Sequence, residues 1–363
     1  MVEKVKQQGL YVIGLMSGTS LDGLDICYVR FLLRNERWVY EILQTTTISY
    51  PQELKERIST AHLMDAFHFA RLHSDYGLYL GVQVRQFIEA HQITPDLVAS
   101  HGHSIFHQPC HRFTCQIGSG AGIAAESGID TLCDFRTTDV AHYGQGAPLV
   151  PIGDRHLFGD YDYCLNLGGF SNISFEQDGS RIAYDISPVN YVLNHYARFE
   201  GKEFDYDGQM ARNGTTHKDL LLALNRLDYY TLTGPKSLAR EWVECEVFPL
   251  IDQYGLDTND ILSTFCEHVS IQISQNIKGG KVLVTGGGAL NKYLMERMFT
   301  TSPQCSYYIP DKQTIHFKEA LIFAFLATLY LCDTPNCLCS VTGAKYNCIG
   351  GALYKGNLEN RKM

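Results

Sequence analysis

A few polar residues with the right types and spacing for chemistry stand at the ends of apolar runs. Asp185 closes such a run and precedes Pro188. A carboxylate there can act as a general base for phosphoryl transfer, or it can cap the helix that follows, a task for which Ser187 is better placed. Arg136 ends another run and can grip a carboxylate or phosphate with two parallel hydrogen bonds, or pair with Asp134 or Asp139. Glu319 heads an apolar helix, where it favours the helix dipole or turns into a cleft. His101, His103, His107 and His111 cluster with Cys110. Their spacing lacks a Cys-x-x-Cys pair, so hydrogen bonding of a polar substrate by one or two imidazoles is favoured over zinc. Cys332, Cys337, Cys339 and Cys348 are likewise poorly spaced for zinc and read as structural or incidental.

Glycine turns give these side chains a setting. Residues 13–25 run Ile-Gly-Leu-Met-Ser-Gly-Thr-Ser-Leu-Asp-Gly-Leu-Asp. A buried strand leads into a tip of Gly18, Thr19, Ser20, Leu21, Asp22 and Gly23, and Leu24 and Asp25 open the next strand. Backbone N–H groups and hydroxyls can meet phosphate oxygens there, with no Cβ in the way at Gly18 and Gly23. The carboxylates of Asp22 and Asp25 suit a divalent cation reached through water. This is no Walker A loop, which requires Gly-Lys-Ser/Thr opening a helix. Two further glycine turns, Gly168-Gly169 and Gly286-Gly287-Gly288, also follow apolar strands. Three in this order predict a nucleotide site with two phosphate loops and a third loop against a flat base.

The elements that carry these turns follow from periodicity. Residues 10–50 predict three strands with a turn at 34–37, and 52–91 predict helix. A strand at 96–100 ends on His101-Gly102-His103, the edge at which open α/β sheets place their sites. Another strand, 131–136, ends in charge. The uncharged loop Gly144 to Pro151, with Gln145 within it, reads as a rigid pocket wall or an interdomain linker. At Asp162 the strand–glycine turn–strand pattern begins again, about 150 residues after its first appearance. Helices are expected at 188–200, 215–253 (broken near 231–235), 260–276, 291–299 and 318–331, and a strand at 281–284. The repeat implies two similar α/β domains, 1–150 and 151–363, with their glycine turns facing one cleft.

Composition bounds the rest. The 363 residues are 45% hydrophobic and 19% charged, a globular balance. The net charge of −9 and the lack of a long basic run argue against nucleic acid or an anionic membrane as partner. No apolar run of membrane-spanning length and no secretory signal are read, so the 12 cysteines are expected to be reduced, in the cytoplasm.

The motifs together resemble the anhydro-N-acetylmuramic acid kinase family. The resemblance rests on Met16 to Asp25, Ser100-His101-Gly102, Asp134-Phe135-Arg136, Gly144 to Pro151, Asn166 to Asn172, Thr285 to Gly288, Lys318-Glu319-Ala320 and Ser340 to Ala344, in family order over nearly the whole chain. It implies an actin/hexokinase/Hsp70-type fold, with two ribonuclease-H-like domains around an ATP cleft. It implies ATP and Mg2+ as cofactors, an amino-sugar substrate, and a homodimer. The implied reaction opens the 1,6-anhydro ring with water and phosphorylates O6. Asp185 matches the family's base; Arg136 and Glu319 match residues that hold the sugar, with His101 and Gln145 as further expected contacts. Gly18 to Asp25 matches the ATP-phosphate loop, joined by Gly168, Gly169, Gly286, Gly287 and Gly288. Two positions depart: Ser187 and Val189 stand where the family has glycine, which predicts a backbone less able to approach a ligand there. His103 replaces a usual glutamine. A kinase for a related sugar without ring opening, and a non-catalytic ATP-binding sensor, are the alternatives.

Overall fold

The computed structural model describes residues 1–18, 21 and 23–357. Thr19, Ser20 and Asp22, all expected in the phosphate loop, lie outside the described residues.

The chain divides into two compact units, Met1–Leu157 with Phe317–Met363, and Phe158–His316. The first unit begins with a meander of β1 (Leu10–Ser17), β2 (Leu24–Arg34) and β3 (Arg37–Ile48). Helix Ala66–His91 follows, then β4 (Leu97–Ser100), the hairpin of β5 (His103–Gln108) and β6 (Phe113–Ile117), and β7 (Thr131–Cys133). β1 and β2 are antiparallel, whereas β4 is parallel to β1 and β7 to β4. β1 and β2 are apolar and buried along most of their length, on both faces. One face packs on helix Ala66–His91, with Ile13, Leu15, Ile26, Leu72, Tyr76 and Leu80 in one cluster.

The second unit repeats the plan. β8 (Tyr163–Leu167), β9 (Phe170–Gln177) and β10 (Ser180–Pro188) form an antiparallel meander, and β11 (Gly280–Thr285) and β12 (Cys305–Tyr308) extend it in parallel. The sheet order is β10-β9-β8-β11-β12. Helices Asn190–Ala197, Thr258–Asn276 and Lys292–Thr301 supply its core, with Leu165, Val192, Phe265, Val269, Val282 and Leu294 buried. The expected helix over 215–253 is instead several short pieces. Lys218–Asn225 is helical, a 3-10 turn spans Asp228–Thr231, and the break expected near 231–235 follows it before helical structure resumes at Arg240. Gly234-Pro235 and the residues around them form an irregular segment.

The boundary expected near residue 150 is therefore close, but the second domain does not extend to the C-terminus. The chain rejoins the first unit at Phe317, within helix Lys312–Leu331. The reason is packing. Gly14 on β1 lacks a side chain where the backbone of Ala320 presses against it. Phe31 and Trp38 meet Phe325, and Phe135 meets Phe323. β13 (Ala352–Tyr354) then pairs antiparallel with β7, giving the order β13-β7-β4-β1-β2-β3. Each unit thus contains the 3-2-1-4-5 order of a ribonuclease-H-like sheet, to which the first unit adds β13 as a sixth strand and the separate hairpin of β5 and β6. Helix Lys312–Leu331 is also long and apolar enough to span a membrane by length and composition, which the sequence reading did not foresee. Residues 320–327 along it are nearly fully buried, so its apolarity is that of a core helix.

Candidate functional site

In the first unit, the β1–β2 turn is held from below. Ser17, buried at the end of β1, accepts a hydrogen bond from the Tyr50 hydroxyl at 2.8 Å and lies 2.9 Å from His103 Nδ1. Tyr76 meets Tyr50 at 2.7 Å. Since Tyr50 donates to Ser17, Tyr76 donates to Tyr50, and the Ser17 hydroxyl links this chain to His103 Nδ1. Burial lowers the His103 pKa to about 4, so the chain of hydroxyls ends on a neutral ring. Of the two loop glycines expected to clear space for phosphate, Gly23 has another reason to be glycine. A Cβ there would stand 2.6 Å from the carbonyl oxygen of Ile48 on β3. Asp25 accepts from Thr47 Oγ1 across the β2–β3 ladder, and Gly18 and Leu21 are joined by a backbone turn.

Arg136 follows β7 at the same carboxyl edge of this sheet, since β1, β4 and β7 run parallel. Its Nε and Nη2 both reach His101 Nε2, at 3.0 and 2.9 Å, and its Nη1 donates to the Gly146 carbonyl at 2.6 Å. His101 Nε2 is therefore an acceptor, and Nδ1–H faces the Gly102 carbonyl at 3.0 Å. Burial, then the guanidinium, hold the His101 pKa well below its usual range. Both ring nitrogens are occupied, so His101 orients Arg136. Arg136 is lowered by burial and supported by the charge of Glu319. Glu319 is open to solvent yet crowded by protein. Desolvation pushes its carboxyl up, with Asp25 adding to the rise and Arg136 and Lys318 opposing it. Lys318 itself is buried in an ion pair with Asp154 at 2.7 Å, which fixes the neighbouring Glu319 backbone.

The loop that carries Gln145 is clasped rather than free. Asp139, fully buried, accepts from Gly146 N–H at 2.8 Å and from Thr342 Oγ1 at 2.7 Å, and Gln145 N–H donates to the Thr342 carbonyl at 2.8 Å. The Gln145 side chain stays exposed. Asp139 and Thr342 were missed as supports in the sequence reading, though both lie in or beside quoted motifs.

In the second unit, strand register assembles the site. Asp185, Asn172, Asn166 and Thr285 are successive Cα partners across β10, β9, β8 and β11. This row lies just short of the two glycine loops. The carbonyls of Gly168 and Gly169 accept from Asn190, Val189 and Tyr191 N–H groups, which ties the loop to the start of helix Asn190–Ala197. Gly286 takes φ +81°, and a Cβ there would press on Asn166 and the Leu167 backbone. Gly287 and Gly169 face comparatively open space. Asn166 and Asn172 were not singled out from sequence; their place in one row with Asp185 is visible only through register. Asn190 stands outside the row, at the start of the next helix, and its side-chain amide donates to the Leu167 carbonyl.

Asp185 Oδ2 accepts from Leu238 N–H at 2.8 Å, its own N–H donates to the Lys236 carbonyl, and its carbonyl accepts from the Tyr229 hydroxyl. The irregular segment after residue 231 thus folds over it. Desolvation raises its pKa, and the Leu238 hydrogen bond opposes the rise. A half-buried carboxylate with one oxygen held and a raised pKa is equipped to accept a proton.

The two departures turn away from this row. β10 carries a register shift between Asp185 and Ser187. Ser187 is fully buried, its hydroxyl 3.0 Å from that of Ser171, and Val189 is fully buried in the core. Their side chains occupy the interior and do not fill space beside Asp185.

Two units that each contain the ribonuclease-H-like strand order, with glycine-containing turns at their strand ends, define the actin/hexokinase/Hsp70 class of fold. The family model described as "Anhydro-N-acetylmuramic acid kinase" matches residues 10–356. Proteins of that name from Shewanella frigidimarina and Pseudomonas paraeruginosa are each 34% identical, covering 95% and 94% of this chain and 98% of their own lengths. One from Vibrio parahaemolyticus is 32% identical over 95% of this chain and 98% of its length. The chain belongs to the anhydro-N-acetylmuramic acid kinase family, and is a kinase by that membership.

Proposed function

We propose that this chain uses ATP to open 1,6-anhydro-N-acetylmuramic acid hydrolytically and to phosphorylate O6, giving N-acetylmuramic acid 6-phosphate and ADP in cell-wall recycling. The observation that carries the reading is Asp185: a carboxylate of raised pKa, held at one oxygen by Leu238 N–H, in the strand row just short of the glycine loops. In this reading Asp185 takes a proton from water as the water oxygen bonds to the anomeric carbon. The bond from that carbon to O6 breaks, O6 bonds to the γ-phosphorus, and ADP leaves. One water is consumed per phosphoryl group transferred. Developing charge on O6 is captured by the transfer itself, so a single base serves both bond changes when water and sugar are held in line.

Arg136, kept in one orientation by His101 and Gly146, is assigned to the sugar's polar groups together with Glu319 and the exposed side chain of Gln145. The β1–β2 turn, with Gly18 and Leu21 to Asp25, is assigned to the ATP phosphates, as are Gly168 and Gly169; Gly286 to Gly288 are assigned to the nucleoside. Magnesium fits the first turn: Asp25 offers oxygen ligands of the kind it prefers, and its charge adds to a rise of the Glu319 carboxyl that desolvation chiefly causes. Bound with nucleotide, it would neutralise phosphate charge. A cytoplasmic homodimer belongs to the same reading.

The test is turnover with ATP, magnesium and the anhydro sugar in oxygen-18 water, followed by mass spectrometry of the product. One labelled oxygen in N-acetylmuramic acid 6-phosphate is expected. ADP formed with an unlabelled sugar phosphate would replace ring opening by simple phosphorylation, and absence of turnover with ATP still bound would favour a sensor.

A further inference from the structure

Outside the groups used above, the first unit holds a buried cluster in which Asp139, Cys337 and Cys348 bring an oxygen and two sulfurs within 4.8 Å of one another. The two cysteines face each other across an isolated antiparallel bridge. Their backbones exchange hydrogen bonds, Cys337 N–H to the Cys348 carbonyl at 3.1 Å and the reverse at 3.3 Å. Such a pair has Cα atoms about 5.5 Å apart, inside the span a disulfide tolerates. Both are free thiols. Asp139 is committed elsewhere, to Gly146 N–H and Thr342 Oγ1. Three protein ligands of which one is already engaged make an incomplete structural zinc site; two opposed thiols make a complete redox pair.

We propose that Cys337 and Cys348 form a reversible redox pair, closed by hydrogen peroxide, that staples the loop clasping residues 139–146. The Cys348 thiolate attacks one peroxide oxygen, the O–O bond breaks, and a sulfenic acid forms with release of water. Cys337 then attacks the Cys348 sulfur, the S–O bond breaks, and a second water leaves. Two thiols and one peroxide become one disulfide and two waters. Cys348 is the first nucleophile: it adjoins the exposed residues 345–347, and the neighbouring Cys337 thiol lowers its pKa, while Cys337 is raised by the same contact and by burial. The approach is short, since Lys345, Tyr346 and Asn347 beside Cys348 are exposed.

The staple matters because of what the intervening residues hold. Thr342 grips Asp139 and Gln145, Lys345 N–H donates to the His142 carbonyl, and the Tyr346 hydroxyl lies 3.0 Å from His142 Nδ1. Cys337 Sγ also lies 3.7 Å from the carbonyl of Phe135, the residue before Arg136. Closing the pair pulls that sulfur toward Cys348 and fixes the base of the clasp.

The full-length reduced chain is titrated with hydrogen peroxide and mapped by mass spectrometry without reduction, with exposed Cys110 and Cys245 as internal standards. A Cys337–Cys348 crosslink is expected, seen as a loss of about 2 Da reversed by dithiothreitol. Cys348→Ser removes it; Cys337→Ala serves as a second variant, each checked for native circular dichroism. Hydrogen exchange of residues 138–146 and 338–347 should slow on oxidation. Oxidised Cys110 and Cys245 with both buried thiols intact, or crosslinks to Cys332 or Cys339 instead, would overturn the pairing. Unchanged exchange in the crosslinked chain would overturn the staple. A metal ion retained at one per chain and lost in Cys348→Ser would replace the redox pair by a metal centre.

Discussion

Asp185→Asn separates the base from its scaffold. The carboxamide keeps an oxygen to accept the Leu238 N–H at about the same place, and the backbone hydrogen bonds of residue 185 to Lys236 and Tyr229 are untouched. A hydrogen bond to a charged acceptor contributes about 1.5–3 kcal/mol and a neutral one about 0.5–1.5, so the substitution weakens this contact by about 1 kcal/mol. Burial disfavours the charge that is removed, as the raised pKa records, and this offsets part of the loss. The variant should therefore melt within a few degrees of the parent and bind ATP equally well. Catalysis should fall by about 10²–10⁴-fold, the range for a lost general base. A coupled ADP-release assay with the anhydro sugar, set beside calorimetric binding of ATP, reads both quantities. A turnover number within tenfold of the parent, with the fold intact, would refute the assignment of Asp185 as base. Asp185→Ala is the harsher control, since it strands the Leu238 N–H at a cost of about 1–3 kcal/mol.

The acid limb of the rate against pH should lie above the ordinary aspartate range, because catalysis needs Asp185 ionised and burial has raised its pKa. The same shift makes this group's contribution to stability fall as pH rises from the unfolded value, 3.8, through the raised one, the reverse of a salt-bridged aspartate. A limb centred at or below that value would sink the desolvation argument. Arg136→Lys loses the forked contact to His101 Nε2 and should raise the KM for sugar about 10–100-fold while leaving the KM for ATP nearly unchanged; equal effects on both would point to a folding defect. Val189→Gly restores the residue usual in the family, yet it should destabilise the chain by about 2–4 kcal/mol, since Val189 is a core residue here. Tighter sugar binding in that variant, without loss of stability, would mean that the valine shields the site.

Much of this was legible in the residues. Apolar runs placed β1, β2, β3, β4, β8 and β11, and each glycine turn falls directly after one of them. What failed had physical reasons. The hairpin of β5 and β6 is rich in histidine and glutamine and lacks clean alternation, so its histidines read as a loop cluster. β13 is three residues long and exists because β7 offers it an edge. The inward turn of Ser187 and Val189 was hidden by the irregularity after Asp185. In a regular strand Asp185 and Ser187 would share a face, and the extra residue sends them to opposite ones. His101 was expected against substrate; its two nitrogens are instead taken by Arg136 and Gly102, which residue type alone does not tell.

The return of the chain to its first unit sets an order of events at the ribosome. Phe158–His316 is continuous, so all of its sheet has been synthesised before residue 317 is added. Met1–Leu157 has no such independence. Until helix Lys312–Leu331 and β13 are synthesised, Phe31, Phe135 and Gly14 lack their partners and the outer edge of β7 is unpaired. The half made first is thus the half completed last. During synthesis its open apolar face and strand edge are the surfaces that a nascent-chain chaperone would find.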